Sequence, residues 1–441
     1  MRSYTLLLFA LVMSLHANAG KKLKVLFIGN SYTYVNNLPQ ITANVAAAMG
    51  DTLIYDSYTV GGYSFYDHYT DPLCTNKIKS AQWDYVILQE QSMQPSQPTN
   101  NFFTDSYFPA TQLDSLIRSN NPCTKTLFYM TWGYKYGDTN TYKIYPTWTA
   151  GITYEGMDSL TRLRYMMYAD TAVLSKLGYL TPGSTLIKCT QVSPVGAVRH
   201  YIRHNYPTIE LYQPDGSHPT EAGSYAGACT FYVALFHKDP KLITYNYTLS
   251  ATDASNIRTA TQKIAYDSMS YWHIGQYDLR AQFSYAAGTG NKVSFTNTST
   301  NATTYTWYFG DGNIATATSP SHTYTTAGIY LVKLAAVNTG CSDTTYMAVS
   351  TYPTSIENTN NPHDLSIYPN PVHEKLNIHT AKSLQGTYQV YIHNSMGQLV
   401  YTDEYFSNKD QAIDMTNFNT GLYLISIVND GAIIYQNKII K

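Results

Sequence analysis

The sequence predicts an α/β domain followed by two smaller all-β modules. Between residues 23 and 269, short apolar runs alternate with helix-period patterns, which is typical of a mostly parallel sheet covered by helices on both faces. From residue 281 to 352 the helical patterns disappear, and Thr, Ser, Asn and Gly dominate short alternating runs that indicate a β-sandwich. A polar linker at residues 353–362 then leads into a second all-β unit.

The expected elements of the α/β domain follow from these patterns. Apolar runs predict strands at residues 24–28, 53–59, 85–89, 126–131 and 185–192. Helical patterns cover residues 38–49, 110–119, 154–177, a stretch after His218 as far as 236, and 253–269 with Asp253 near its cap. The expected divisions are residues 1–19 as leader, 20–277 as the α/β domain, 281–352 and 363–441 as β-modules, and 353–362 as linker.

The first 19 residues have the layout of a secretory signal peptide. Arg2 precedes an apolar core at residues 5–13, and the Ala-Asn-Ala sequence at 17–19 supplies the small residues of a cleavage site. This core is shorter than the roughly 20 residues that a membrane-spanning helix needs. We therefore expect cleavage before Gly20 and export, with no membrane span in the mature chain.

Composition and charge exclude some classes of partner. The formal net charge is -1 and only 13% of the 441 residues are charged, so no basic surface for nucleic acid or for a membrane is predicted. Forty-three tyrosines combine apolar rings with hydroxyl groups, a composition compatible with sugar-binding clefts.

The cysteines of an exported chain are candidates for disulfide bonds, and none of the five forms a C-x-x-C pair. An odd number leaves at least one thiol free. Cys74 and Cys123 are each expected in a loop just ahead of a central strand, and we predict a bond between them. Cys189 lies in an apolar run, where a buried free thiol is as well supported as a bond.

Ser31 is the first candidate catalytic residue. It follows the first apolar run in the sequence GNSYT, residues 29–33, where Gly29 and Asn30 are residues that turn a chain sharply. We expect Ser31 at the carboxyl edge of a strand, where open α/β sheets bind ligands. Most serines in such positions only form the turn. Here a helix is expected to follow, so the Ser31 amide can bind a developing oxyanion while its hydroxyl attacks.

Asp215 and His218 are the second candidate feature, three residues apart in a loop before an expected helix. At this spacing the carboxylate can accept a hydrogen bond from one imidazole nitrogen while the other nitrogen faces outward. The alternative is that Asp215 caps the helix and His218 is an ordinary residue of its first turn. Together with Ser31 the pair predicts a serine hydrolase that needs no metal or cofactor, although the G-x-S-x-G elbow is absent.

His200 and His204 have the i, i+4 spacing of some zinc sites. Tyr201 stands where a metalloprotease would carry its glutamate base, and Arg199 and Arg203 add positive charge that opposes a dication. We therefore expect a solvated helix face here and no metal.

Three blocks of the chain resemble the SGNH (GDSL-type) hydrolases: VLFIGNS at residues 25–31, VGG at 60–62 and DGSH at 215–218. The resemblance covers roughly residues 22–240. It implies a flavodoxin-like three-layer α/β/α fold and esterase chemistry. Ser31 would be the nucleophile, His218 the base and Asp215 its orienting residue, with the amides of Ser31 and Gly62 in the oxyanion hole.

The chain departs from this family in two places. Asn30 replaces the usual aspartate, and we expect the turn to survive because asparagine makes similar bonds to the backbone. The G-x-N-D block, whose asparagine completes the oxyanion hole, is missing, and the chain reads LQEQS at residues 88–92. A glutamine amide would have to take its place, and Gln89 and Gln91 are both candidates. This variant is similar to a subgroup found in secreted bacterial proteins, and the resemblance implies no substrate.

The two β-modules also resemble known families. WYFGDG at residues 307–312, followed by PSHTY at 320–324, is similar to the PKD-type immunoglobulin-like domain. YPNP at 368–371, NSMG at 394–397 and GLY at 421–423 are similar to the C-terminal sorting domain of the type IX secretion system of Bacteroidota. That resemblance implies the secretion machinery as a partner. The alternative for the tail is a carbohydrate-binding or adhesive sandwich.

The sequence as a whole predicts a secreted or surface-exposed serine esterase, acting on an ester such as an O-acyl group on a carbohydrate. The sugar part rests on analogy, since export, a PKD module and many tyrosines agree with it without requiring it. The alternative is a non-catalytic surface binding or adhesion protein whose α/β domain lost activity with its G-x-N-D block.

Overall fold

The computed structural model describes residues 20–170, 173–174, 190–351, 365–379, 386–394, 399–406, 409–429 and 432–441. The expected signal peptide, Cys189, most of the 185–192 run and the expected linker lie outside these residues. The chain divides into two compact units. One comprises the residues up to Gln282 with Thr298–Thr306 and Leu334–Thr345, and the other Phe283–Asn297, Trp307–Lys333 and Tyr346–Lys441.

A five-stranded parallel sheet forms the centre of the first unit. Its strands are β1 (Lys22–Gly29), β2 (Thr52–Thr59), β3 (Tyr85–Leu88), β4 (Lys125–Tyr129) and β5 (Gln191–Ser193). The strand order β2-β1-β3-β4-β5 is the flavodoxin-like order, which confirms the predicted α/β fold class. Gly29 lies opposite Thr59 and Ile28 opposite Leu88, so the loops that follow β1, β2 and β3 meet at one edge.

Helices cover both faces of this sheet. They are α1 (Ser31–Tyr34), α2 (Leu38–Ala48), α3 (Phe65–Thr70), α4 (Pro72–Lys79), α5 (Thr99–Phe102), α6 (Phe108–Asn120), α7 (Thr139–Ile144), α8 (Tyr154–Ala169), α9 (Val195–Asn205), α10 (Glu221–Phe236) and α11 (Ala251–Thr261). Short 3-10 turns lie at Val35–Asn37, Gln94–Ser96 and Pro240–Leu242, and wider helical turns at Phe103–Tyr107 and Gln262–Tyr266.

Two adjacent residues of β4 show how the layers are divided, because neighbouring side chains of a strand point to opposite faces. The Tyr129 ring packs against Phe231 of α10, with ring centroids 4.9 Å apart. The Phe128 ring packs against Phe65 of α3 and Tyr168 of α8 on the other face. The unbroken apolar character of these strands follows from this burial on both faces.

The structure differs from the predicted elements at the ends of helices and strands and in its short helices; β4, for example, ends at Tyr129 and not at residue 131. The last helix begins after Ser250, whose hydroxyl accepts a hydrogen bond from the amide of Asp253, so Ser250 is the cap and Asp253 lies in the first turn. Helices α3, α4 and α7 were not predicted. Each has eight residues or fewer, too short for a periodic apolar pattern to stand out.

The remaining strands are antiparallel and confirm the all-β character predicted after residue 281. They are β6 (Phe283–Ala287), β7 (Lys292–Asn297), β8 (Thr304–Tyr308), β9 (Ile314–Ala315), β10 (Ser321–Thr323), β11 (Ile329–Asn338), β12 (Cys341–Ser350), β13 (Ser366–Tyr368), β14 (Lys375–His379), β15 (Thr387–Asn394), β16 (Leu399–Phe406), β17 (Gln411–Asp414), β18 (Leu422–Asn429) and β19 (Ala432–Ile440). Their sheets are β10-β7-β6, β12-β11-β8-β9, β13-β14-β17 and β16-β15-β18-β19.

Each β-module has its own buried aromatic or aliphatic centre. In the first, the buried Trp307 ring packs against Phe283 and Phe295. In the second, a cluster that includes Tyr388 and Ile425 is fully buried. No helix among the described residues is both long and apolar enough to cross a membrane.

The predicted bond between Cys74 and Cys123 is wrong. Cys74 lies on α4 and is a fully buried free thiol, whereas Cys123 is bonded to Cys341 at the start of β12. The Cα atoms of the bonded pair are 5.4 Å apart, within the usual range for a disulfide. The prediction failed because it placed Cys74 in a loop, and sequence gave no sign that a cysteine 218 positions away reaches Cys123.

Peptide mapping without reduction should therefore recover one bridged peptide that contains Cys123 and Cys341. Cys74 and Cys229 should resist alkylation in the folded protein, since burial raises the pKa of each thiol to about 12 and leaves little thiolate. Both should react after unfolding in denaturant. Recovery of a Cys74–Cys123 peptide would contradict this assignment.

Candidate active site

Ser31 stands where β1 ends, as the sequence predicts. Asn30 precedes it and caps the short helix α1, because its side-chain oxygen accepts a hydrogen bond of 3.1 Å from the amide of Tyr32. This confirms that asparagine preserves the turn. Gly29 is required here by space: a Cβ atom at this position would lie 2.5 Å from Gln89 Oε1 and from Thr33 Oγ1.

The Gln89 side chain holds this turn through hydrogen bonds. Its Oε1 accepts hydrogen bonds from the amide of Asn30 and the hydroxyl of Thr33, each 2.9 Å long. Its Nε2 donates to Asn30 Oδ1 and to the carbonyl of Glu90. The side chain is fully buried and both ends of its amide are engaged. Gln89 is therefore not available to an oxyanion, which corrects its candidacy for the oxyanion hole.

His218 connects Ser31 to Asp215. The His218 Nε2 atom lies 2.8 Å from Ser31 Oγ, and its Nδ1 lies 2.5 Å from Asp215 Oδ2. The other carboxylate oxygen of Asp215 accepts the backbone amides of Ser217 and His218, which holds the carboxylate in place. The structure thus brings together all three residues that the sequence singles out for catalysis.

The pKa of Asp215 is lowered from its usual value. Burial acts to raise the pKa, but the hydrogen bonds from the Ser217 amide and from His218 outweigh it. The carboxylate is consequently ionised at neutral pH. In this state it accepts a hydrogen bond from the protonated Nδ1 of His218.

An aromatic stack supports the loop that carries His218. The rings of Tyr32 and Trp132 are parallel, with centroids 4.4 Å apart, and both side chains hold Ser217. The Tyr32 hydroxyl lies 2.6 Å from Ser217 Oγ, and Trp132 Nε1 donates to the Ser217 carbonyl at 3.1 Å. The buried Arg199 guanidinium lies 3.7 Å from the centre of the Trp132 ring and donates to the Leu211 carbonyl.

Gly62 lies in the loop after β2, beside the Ser31 turn. The Asn30 side-chain amide donates to the carbonyl of Tyr63 at 2.9 Å, and the Val60 amide donates to the carbonyl of Gly29. Gly62 has φ +78°, a left-handed conformation that favours glycine. These bonds fix the position of the Gly62 backbone relative to the serine turn.

Gln91 differs from Gln89 in being half-buried in the loop after β3. Its Oε1 accepts the Met93 amide at 2.7 Å, which orients the side chain. Within the described chain its Nε2 donates to no protein group. Of the two glutamine candidates, only Gln91 has a free amide donor.

Glu90, between the two glutamines, is a buried carboxyl group that the sequence analysis did not single out. Its Oε1 accepts the amides of Phe65 and Gln91 at 2.8 and 2.7 Å, and its Oε2 accepts the Ser106 hydroxyl. It therefore ties the loop after β2 to the loop after β3. Burial raises the pKa of Glu90 to about 8.

An open pocket of about 380 Å³ adjoins Asp215. Its walls combine the DGSH loop with the 134–140 segment, and the lining residues are Tyr134, Tyr136, Gly137, Asp138, Thr139, Asn140, Asp215, Gly216 and Ser217. The wall is thus built of two tyrosine rings and many hydroxyl, amide and carboxylate groups. Among the described residues, the only group of three or more side chains placed so that they could ligate a metal ion together lies elsewhere: Glu155, His200 and His204.

Comparison with known families accounts for the two β-modules. A PKD-domain model matches residues 279–351, and a model of the secretion-system C-terminal sorting domain matches residues 366–441. The chain carries a PKD domain and a sorting domain. The sorting domain indicates an exported protein, secreted or held at the cell surface. No curated protein matches the chain.

Several solved structures are similar to the α/β part. A DUF4886 family protein from Bacteroides uniformis is 18% identical, with a TM-score of 0.45, and covers 57% of this chain and 96% of its own. A carbohydrate esterase family 3 protein from Talaromyces cellulolyticus is 13% identical, with a TM-score of 0.33, over 49% of this chain and 97% of its own. A GDSL-like lipase from Parabacteroides merdae is 13% identical, with a TM-score of 0.30, over 49% and 96%.

Sequence reasoning missed the residues that support the site. Trp132 and Arg199 are far from the motifs along the chain, and only the fold brings them to the His218 loop. Glu90 could have been noticed, because a carboxyl group directly after a buried strand is expected to be either functional or hydrogen-bonded.

Replacement of Glu90 by glutamine tests its protonation. Because the pKa of Glu90 is raised by folding, its contribution to the stability of the wild type is fully present below pH 4.5. This contribution falls as the pH rises to about 8 and is absent at higher pH. Glutamine keeps an acceptor for both amides and never ionises. The unfolding free energy of Glu90→Gln minus that of the wild type should rise by roughly 3–5 kcal/mol between pH 4.5 and 9. Urea unfolding across this range measures it, and a constant difference would contradict the raised pKa.

Proposed function

We propose that the α/β domain is a serine esterase of SGNH type, which acts outside the cell on an ester such as an O-acyl group on a carbohydrate. One observation carries the proposal: a single imidazole, that of His218, lies within hydrogen-bond distance of both Ser31 Oγ and Asp215 Oδ2. A serine, a base and an orienting carboxylate in this order form the arrangement that activates a hydroxyl for acyl transfer.

In the first half of the reaction, Ser31 Oγ attacks the ester carbonyl carbon while His218 Nε2 takes the hydroxyl proton. Asp215 holds the Nδ1 proton and stabilises the imidazolium that forms. His218 then gives its proton to the leaving alcohol, and an acyl-serine remains. In the second half, His218 deprotonates a water molecule that attacks the acyl carbon. Collapse of the intermediate breaks the bond to Ser31 Oγ, which takes the proton back from His218, and releases the acyl group as a carboxylic acid.

The negative oxygen formed in both halves requires hydrogen-bond donors. The backbone amides of Ser31 and Gly62 donate to no group in the described part of the chain, and the Nε2 of Gln91 is also free. We assign these three donors to the oxyanion hole. The bond that Asn30 donates to the Tyr63 carbonyl and the bond that the Gln91 amide donates to Glu90 hold two of the three loops, so the oxyanion donors need little rearrangement when charge develops.

The pocket beside Asp215 supports a carbohydrate as the alcohol part of the ester. Tyr134 and Tyr136 offer ring faces, and Thr139 and Asn140 offer hydroxyl and amide groups, the mixture that binds sugar rings and their hydroxyls. Acetylated glycans should therefore be better substrates than short nitrophenyl esters, whose leaving group lacks the hydroxyls that the polar side chains of this pocket would bind. A screen of both classes compares them by kcat/KM.

The remaining divisions of the chain fit this role. We propose that residues 1–19 are removed on export, that residues 20–277 form the catalytic domain and residues 281–352 the PKD module, and that a linker at 353–362 leads to the sorting domain at 363–441. The secretion machinery would then read the tail, and the catalytic domain would act after export.

Substitution of the proposed triad gives the main test. Ser31→Ala and His218→Ala should each lower kcat/KM for an ester by roughly 10⁴-fold or more, because a nucleophile and its base act as one unit. Asp215→Asn should lower it by a smaller factor, on the order of 10²–10³, since the exposed loop lets water replace part of its effect.

Ser80→Ala is the matched control, because that exposed hydroxyl bonds only the Lys77 carbonyl of its own helix. A fluorophosphonate probe should label the wild type and Ser80→Ala and leave Ser31→Ala unlabelled. Full activity in Ser31→Ala would refute Ser31 as the nucleophile. A wild type that hydrolyses no ester and takes up no probe would instead favour a non-catalytic binding protein.

Substitution of Gln91 should change catalysis, whereas substitution of Gln89 should change the stability of the fold. Gln91→Ala should lower kcat by roughly 10²–10³-fold with little change in KM, because its bond strengthens as charge develops in the transition state. Its unfolding free energy should stay close to that of the wild type. Gln89→Ala should instead destabilise the fold by roughly 1–3 kcal/mol, since it leaves the buried amide of Asn30 without a partner. An unchanged kcat in Gln91→Ala would mean that backbone amides alone form the oxyanion hole.

A further inference from the structure

Two histidines and a glutamate come together where helices α8 and α9 pack. We propose that Glu155, His200 and His204 bind a divalent transition-metal ion, for which Zn²⁺ is the appropriate probe. One ligand atom from each of these residues lies within 4.8 Å of the others. The proposal is independent of the esterase reaction, with which it shares no residue.

One ring nitrogen of His204 is hydrogen-bonded to a backbone carbonyl, and the other faces a carboxylate. Its Nδ1 lies 2.8 Å from the carbonyl oxygen of His200, an acceptor, so Nδ1 carries a proton. Its Nε2 lies 3.2 Å from Glu155 Oε1. A bare nitrogen lone pair and a carboxylate repel one another at this distance. Either a second proton or a cation must therefore stand between them, and a metal ion satisfies both groups.

One ring nitrogen of His200 also contacts protein groups, which leaves the other for a metal ion. Its Nδ1 lies 2.9 Å from Asp158 Oδ2 and 3.3 Å from the Tyr154 hydroxyl, which leaves Nε2 as the ligand atom. The Asp158 carboxylate is fully buried. A carboxylate behind a ligating histidine orients the ring and raises its basicity, as is usual for histidines that bind metals. The ring centroids of His200 and His204 are 4.3 Å apart, one helical turn along the same face.

The neighbouring arginines, which led to the expectation that no metal binds here, are engaged elsewhere. Arg199 is buried against the Trp132 ring, and Arg203 lies 4.0 Å from the centre of the Tyr154 ring and donates to the Lys135 carbonyl. Arg162 pairs with Asp158 at 2.9 Å. Glu155 and the supporting Asp158 together thus face one arginine in direct ion-pair contact, which leaves negative charge for a cation.

The distances between the ligand atoms suit a zinc-like ion after a small movement of the side chains toward one another. Zinc bonds of about 2.0–2.2 Å in a tetrahedral site place the ligand atoms about 3.3–3.5 Å apart. His204 Nε2 and Glu155 Oε1 are already 3.2 Å apart, and the Glu155 side chain is exposed. Three protein ligands leave a position for water. Nitrogen ligands favour Zn²⁺, Cu²⁺ or Ni²⁺ over Mg²⁺, which prefers oxygen.

The expected consequence of binding is that the ion joins α8 to α9. Helix α9 carries Arg199 and Arg203, which hold the Leu211 and Lys135 carbonyls near the His218 loop. An ion that binds only the folded chain stabilises it in proportion to its occupancy.

Calorimetric titration of the chelator-treated full chain with Zn²⁺ tests the proposal. We expect saturable one-to-one binding and a rise in Tm of roughly 5 °C at a hundredfold excess over Kd. His204→Ala should weaken binding by more than the about 10–100-fold that loss of a supporting carboxylate costs, and Asp158→Asn should fall within that range. Since Asp158 is buried, Glu155→Gln at an exposed position provides a second variant that leaves the fold intact, and it should also weaken binding.

His379→Ala is the matched control, because that exposed histidine pairs with Asp410 at 2.7 Å outside the cluster, and it should bind Zn²⁺ as the wild type does. Electron paramagnetic resonance of bound Cu²⁺ should show two nitrogen ligands in the wild type and one in His204→Ala. The proposal is overturned if Zn²⁺ does not saturate the wild type, if Mg²⁺ binds equally well, or if His204→Ala and Glu155→Gln bind unchanged.

Discussion

The paired amides of Asn30 and Gln89 are the interaction on which the site depends. Gln89 Nε2 donates to Asn30 Oδ1, and the backbone amide of Asn30 donates to Gln89 Oε1. These two bonds join the end of β1 to the end of β3, and both side chains are buried. Because the pair is buried, loss of one partner leaves polar groups that nothing else can reach. These bonds therefore fix the serine turn to the parallel sheet. The Gly62 loop is attached to the same pair through Asn30, so the proposed nucleophile and oxyanion donors share one support.

The order of strands and helices could be read from the sequence because it depends on local pattern. Long apolar runs such as β1 are buried on both faces, and helices such as α10 are long enough to show where they begin and end. Short helices such as α3 and α4 leave no such pattern. The bond between Cys123 and Cys341 was beyond reach for another reason: it joins residues that are neighbours only after folding.

The proposed catalytic residues could be selected from the sequence because a serine at a strand end occurs together with an Asp-x-x-His pair and their blocks resemble a family. The role of Gln89 could not, since a glutamine beside a strand can donate to a ligand or to its own backbone. Only the fold shows that both ends of its amide are already engaged. The histidines of α9 show the same limit, because their spacing was visible but the carboxylates of α8 that face them were not.

The bond between Cys123 and Cys341 has a consequence for the life of the protein outside the cell, where proteases are common. Ser31 precedes the first cysteine, and His218 lies between the two. A single cut between Cys123 and His218 would yield two fragments, one with the nucleophile and the other with its base. The disulfide would keep those fragments covalently attached, so that a nicked molecule retains both halves of its site in one particle.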